Sequence, residues 1–222
     1  MNNMQINIAE HGSGAVPIIL IHGFTRSLSD WSHQVSSLST RYRCMAVDLP
    51  GHGRSPPPRQ ATIETLAHSV NHMLDDLGLD TVVLAGHSMG CRIISEMTNQ
   101  SRHRVRGLVY IDGSIVADGD VDAAVSRSIE TVERLGMPQF LDRFYHGFFT
   151  ENTPPAIRES VWAHFASIDI NFAKELWLNM VRWDASQSRS VLATIDVPAL
   201  VIQSTFLNSD LKRISLSPGQ SS

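Results

Sequence analysis

Apolar positions form near-continuous runs at residues 16–21, 43–47 and 81–85. Each run stops at a glycine or aspartate turn: His22-Gly23, Asp48-Leu49-Pro50-Gly51 and Gly86-His87. A fourth run, 105–111, stops at Asp112-Gly113, and a fifth, 197–202, comes much later. Continuous rather than alternating apolar strands suit a parallel sheet covered on both faces. An alternating piece at 4–8, followed by His11-Gly12-Ser13-Gly14, predicts an edge strand and turn leading into the first buried strand.

Helical spacing fills the gaps. Ile63, Leu66, Ala67, Val70, Met73, Leu74 and Leu77 recur at i, i+3, i+4 and i+7, with Gly78 where a helix would end. Ile93, Ile94 and Met97 predict another helix after Gly90. Strands alternating with helices give an α/β fold. Residues 115–190 break the rhythm: they offer amphipathic helices near 121–135, 156–165 and 172–183 and no convincing strand. The expected organisation is a core of residues 1–114 and 191–222 with an inserted helical lid at 115–190. That lid holds ten of the fifteen aromatic residues, which either dock it on the core or line an apolar pocket beneath it.

The composition narrows the class. The chain has 222 residues, 42% of them apolar and 18% charged, enough for a real core and too apolar for disorder. A net charge of −4 with no basic run speaks against nucleic acid. No stretch reaches the length of a membrane span, and the first fourteen residues lack a signal-peptide apolar region. Two cysteines, Cys44 and Cys91, cannot make a disulfide framework, so a reducing cytoplasm is the expected location. His68 and His72 share a helix face without a third ligand nearby; no metal is expected.

The informative segment is Gly86-His87-Ser88-Met89-Gly90, placed between a strand and a helix. A tight strand-to-helix turn forces its serine into a strained backbone, and flanking glycines relieve the clashes. The hydroxyl then stands at a helix N-terminus, where free N–H groups and the helix dipole favour a developing negative charge.

With Ile21-His22-Gly23-Phe24, residues 48–55 (Asp-Leu-Pro-Gly-His-Gly-Arg-Ser) and this serine turn in that order, the chain resembles the α/β-hydrolase family. The resemblance implies a mostly parallel sheet with helices on both faces, an inserted lid, a small-molecule substrate and no cofactor. It implies that Ser88 is a nucleophile forming an acyl-enzyme on a small, fairly apolar ester. The backbone N–H groups of Phe24 and Met89 would form the oxyanion hole. His22, His52 and His87 would be structural, with His87 pointing away from the nucleophile. A serine at this position also argues against a haloalkane dehalogenase, where the family places aspartate. For the acid, the resemblance favours Asp112, at the end of the strand before the lid. Asp210 is the alternative, and a third reading has Asp112 only capping a turn.

A base is missing from the pattern. The histidines after Ser88 are His103, His146 and His164, and none follows Leu200. The family's last strand, histidine loop and terminal helix have no counterpart. Three explanations stand: a fragment of a longer hydrolase, a base supplied by His146 or His164 of the lid, or a binding module that keeps the pocket without turnover. Carbon–carbon bond hydrolysis is chemically close to the ester reading. An uncapped edge at 197–202 would also invite self-association.

Overall fold

In the computed structural model, residues 5–113 and 121–204 are described. Six strands form one sheet in the order β1 (Ile8–His11), β3 (Cys44–Val47), β2 (Ile18–Ile21), β4 (Val82–His87), β5 (Val105–Ile111), β6 (Ala199–Ile202). Every neighbouring pair is parallel except β1 with β3. The fold is thus the mostly parallel α/β sheet that the alternating strand and helix patterns predict.

The first strand lies later than the alternation at 4–8 indicates. Ile6 is buried, but its neighbour Asn7 is held one bond at a time. Its N–H donates to Ser55 Oγ, its side-chain amide to Asp48 Oδ2, and its carbonyl accepts the Asp48 N–H. Ladder pairing starts only at Ile8, opposite Val47.

The pleat sorts the central strands onto two cores. Ile19 and Ile21 of β2, Met45 and Val47 of β3 and Leu84 of β4 face the larger one. Leu20, Cys44, Ala46 and Ala85 face the smaller one, closed by Trp31 and Val35. Val35 lies on α1 (Ser32–Leu38), which follows a short 3₁₀ turn at Leu28–Trp31.

The larger face is covered by α2 (Ile63–Asp76) and α3 (Met89–Gln100). Thr62 caps α2 by accepting the Thr65 N–H, and the chain turns away at Gly78, whose φ of 64° suits glycine. Between β5 and β6 lie α4 (Val121–Leu135), α5 (Met137–His146), α6 (Pro155–Ser167), α7 (Ile170–Ser186) and α8 (Ser188–Ala193). These pack on the same face as α2 and α3. Trp183 of α7 is 1% exposed, and Asp184 beside it accepts two hydrogen bonds from the Arg92 guanidinium of α3, at 2.7 and 2.5 Å. No helix among the described residues is long and apolar enough to cross a membrane.

Candidate active site

Ser88 sits between the end of β4 and the start of α3 with φ 52° and ψ −116°. Such a backbone is rare for a residue with a side chain and stores strain of about 1–3 kcal/mol. The flanking Gly86 has no room for a side chain. A β-carbon on Gly86 would lie 2.4 Å from the Gly90 carbonyl oxygen. The Ser88 N–H donates to the Ile111 carbonyl at 3.0 Å, fastening the turn to the end of β5. Met89, fully buried, opens α3, so its N–H belongs to the first-turn donors that have no partner inside the helix.

The Gly23-Phe24 loop at the end of β2 abuts this turn. A β-carbon on Gly23 would meet Ser88 Cβ and His87 Nδ1, each at 3.3 Å. His22 holds the loop from below. It is fully buried, its Nδ1–H donates to the Gly23 carbonyl at 2.8 Å, and its Nε2 accepts the Leu49 N–H at 3.0 Å. Burial pushes its pKa down to about 3, so it stays neutral and serves as scaffold. His52 is also neutral, pushed down to about 3 by burial, with its Nδ1–H on the Pro50 carbonyl. Asp48 anchors the same turn by accepting the N–H groups of Leu28 and Arg54. The segment at 48–55 therefore builds the floor of the site.

Asp112 follows the residue that Ser88 bonds to, with φ 46°. Its N–H donates to the Ile202 carbonyl at 2.9 Å, and its Oδ1 accepts the Ser204 N–H. At least one of its oxygens is thus spent on capping the chain after β6. Asp210 lies outside the described residues. His87 is pushed down by burial, with the Asp112 and Asp30 carboxylates pulling the other way. It lines a cavity of about 210 Å³ with His22, Asp30, Trp31, Gln34 and Ile111.

The histidines of the helical segment are engaged elsewhere. His146 is exposed, and its Nδ1 bonds to the Asp142 carbonyl. His164 bonds through Nε2 to Ser27 Oγ at 2.7 Å and through Nδ1 to the Ser160 carbonyl at 2.7 Å. These bonds give no support to a base from the lid. Among the described residues, no histidine hydrogen-bonds the Ser88 hydroxyl. The Ser27–His164 pair borders a larger cavity, about 390 Å³, whose lining does not include Ser88. Its size does not outweigh the backbone strain at Ser88 and the helix start that follows it.

Aromatic residues of the helical segment gather over the loop. Trp177 lies 5.3 Å from Phe24 and 4.7 Å from Phe140, ring centre to ring centre, and 5.3 Å from Phe144. Cys44 and Cys91 are free and buried, and burial pushes Cys91 up to about 12, far from a reactive thiol. No group of three metal-ligating side chains occurs among the described residues.

A family model described as the alpha/beta hydrolase fold matches residues 16–210. The chain is 29% identical over 131 residues to the dihydrolipoyllysine-residue acetyltransferase component of the acetoin cleaving system of Cupriavidus necator, covering 57% of this chain and 35% of that one. It is 36% identical over 114 residues to epoxide hydrolase 3 of Siraitia grosvenorii, covering 50% of this chain and 36% of that one. The chain thus spans about a third of the length of these curated relatives. Among solved structures, a thermophilic esterase from Thermogutta terrifontis superposes with a TM-score of 0.75 at 25% identity, over 89% of this chain and 74% of that one.

Proposed function

The chain belongs to the α/β-hydrolase fold family, and from that premise we propose that it is a serine hydrolase acting on a small, fairly apolar ester or related acyl compound. The observation that carries the reading is the strained Ser88 at the N-terminus of α3, packed against the Gly23-Phe24 loop. In this reading Ser88 Oγ attacks the acyl carbon and gives up its proton to a base. The N–H groups of Phe24 and Met89 hold the oxyanion. The intermediate collapses with loss of the alcohol, which takes back the proton, and water then releases the acid and restores Ser88. Asp112 is the proposed acid. Residues 115–190 act as a lid, whose Phe140, Phe144 and Trp177 supply apolar contact near the acyl group.

A second reading rests on the histidines: with none bonded to Ser88 Oγ among the described residues, the chain would be a ligand-binding module with a hydrolase pocket. Hydrolysis of p-nitrophenyl acetate, compared with a Ser88→Ala variant, separates the two. Serine-dependent turnover supports the hydrolase; saturable binding with turnover equal in both proteins supports the module. Hydrolysis of a carbon–carbon bond is the neighbouring chemistry for the same nucleophile and would show as turnover of a β-diketone instead of the ester.

A further inference from the structure

Phe24 is gripped from above by two residues of the helical segment. Trp177 of α7 packs on its ring at 5.3 Å. Tyr145 of α5 donates its phenol O–H to the Phe24 carbonyl at 2.8 Å. With that proton committed, the Thr25 hydroxyl must be the donor in its bond to Tyr145 Oη. Thr25 to Tyr145 to Phe24 is therefore a directed chain of hydrogen bonds, each polarising the next. It is buried throughout: Phe24 is 4% exposed, Thr25 2% and Tyr145 8%.

The backbone explains what the chain of bonds holds. The Arg26 N–H donates to the Gly23 carbonyl at 3.3 Å, closing a four-residue turn. Thr25 occupies its third position with φ 53°. A type II turn needs a positive φ there and ordinarily takes glycine; a β-branched residue is a genuine outlier. Left alone, the Phe24–Thr25 peptide would gain by flipping to a type I turn, which needs no positive φ. The Tyr145 bond to the Phe24 carbonyl opposes that flip. The ring under Trp177 and the carbonyl under Tyr145 together fix the residue whose N–H faces Ser88 in the proposed mechanism.

We infer that Tyr145 is a positioning residue for the oxyanion site, making the Phe24 amide competent only while α5 is docked on the loop. This rests on the Ser88 reading above. It means that opening the helical segment both admits substrate and disarms one oxyanion donor.

The test follows Ser88 modification by p-nitrophenyl acetate or a fluorophosphonate in the 222-residue chain, resolving the maximal rate from the half-saturating concentration. Losing one oxyanion donor outright costs about 10²–10³ in rate. A donor left in place but free to swing is expected to cost about tenfold. Tyr145→Phe should thus lower the maximal rate about tenfold with half-saturation changed less than about twofold. A merely structural role would instead lower the fraction of protein labelled, leaving the rate of the folded fraction unchanged, and that result overturns the inference. If Tyr145→Phe does not fold, Thr25→Val removes the first donor of the chain of bonds at nearly constant volume. Its expected loss of maximal rate is about threefold, and an unchanged rate likewise overturns the inference. If Ser88→Ala labels as fast as the parent chain, the Ser88 reading itself fails and takes this one with it.

Discussion

Gly90 packs its bare Cα against the backbone of Ile21: a β-carbon there would stand 2.4 Å from the Ile21 carbonyl oxygen. Helix α3 can approach β2 this closely only because the side chain is missing, and the approach is what sets Ser88 beside the Gly23 loop. Gly90→Ala is therefore expected to destabilise by about 3 kcal/mol or more, since backbone rather than a flexible side chain must yield. Gly107→Ala is the control. Its β-carbon would meet only the Pro198 carbonyl oxygen, at an ordinary 3.5 Å, so a change within about 1 kcal/mol is expected. Urea midpoints of the two variants check the contrast; equal losses would remove Gly90 as the packing determinant.

Ser88 holds strain that a glycine would not. At φ 52°, Ser88→Gly should raise stability by about 1 kcal/mol, after allowing for the looser unfolded chain of glycine. The same change should abolish fluorophosphonate labelling. A variant that is no more stable than the parent would show that the neighbours, and not the serine, carry the strain.

Asp112 offers a way to separate capping from chemistry. Asp112→Asn can keep an acceptor for the Ser204 N–H, so stability should change little, whereas the rate of Ser88 acylation should fall if the charge matters. Asp112→Ala strips the acceptor, and an unsatisfied amide costs about 1–3 kcal/mol. Should the asparagine variant react as fast as the parent, Asp112 is a turn cap and the proposed acid is wrong.

Much of this was written locally in the sequence. β5 spans the whole run at 105–111, and α4 spans the predicted 121–135, because each carries a single unbroken pattern. The serine turn was legible because its glycines, serine and helix lie within a few residues. α1 was not, since Val35 is its only buried residue and leaves no periodicity to read. α5 begins at Met137-Pro138 directly after Gly136, two residues that read as a break, although proline fits a first helical turn. Contacts between distant segments left no trace: Tyr145 reaches Phe24 across 121 positions, and His164 reaches Ser27 across 137. The spacing that marks an amphipathic helix shows which face is buried, never which loop it will hold.

Acid should unfold the protein through its buried imidazoles. His22 and His52 are both held near 3 by burial, against 6.5 in an unfolded chain. Between those values the unfolded state binds protons that the folded state refuses, so stability rises with pH and is lost as pH falls below about 6.5. Each such histidine contributes a slope of up to about 1.4 kcal/mol per pH unit. Urea unfolding between pH 4 and pH 6 should show the slope fall by about one proton's worth in His52→Gln. An unchanged slope would mean that His52 takes up its proton in the folded state, with Nε2, which has no partner among the described residues, finding an acceptor.

The outer strand predicts how the chain behaves at concentration. Leu200, Val201 and Ile202 of β6 are 56%, 49% and 48% exposed. Successive strand residues point to opposite faces, so among the described residues β6 is exposed on both sides of the sheet from Leu200 onward, with only Ala199 packed on the larger core. Ala199–Ile202 carries no charge to repel a neighbour. Among the described residues nothing pairs with its outer edge. We propose that two copies meet edge to edge, so static light scattering at tens of micromolar should give a mass above that of one chain. Leu200→Lys places a charge on that edge. Because Leu200 is already more than half exposed, the substitution should leave the melting temperature within a few degrees while returning the mass to that of a monomer. A parent chain that scatters as a monomer throughout, or a Lys variant that associates as before, would locate the contact elsewhere on the surface.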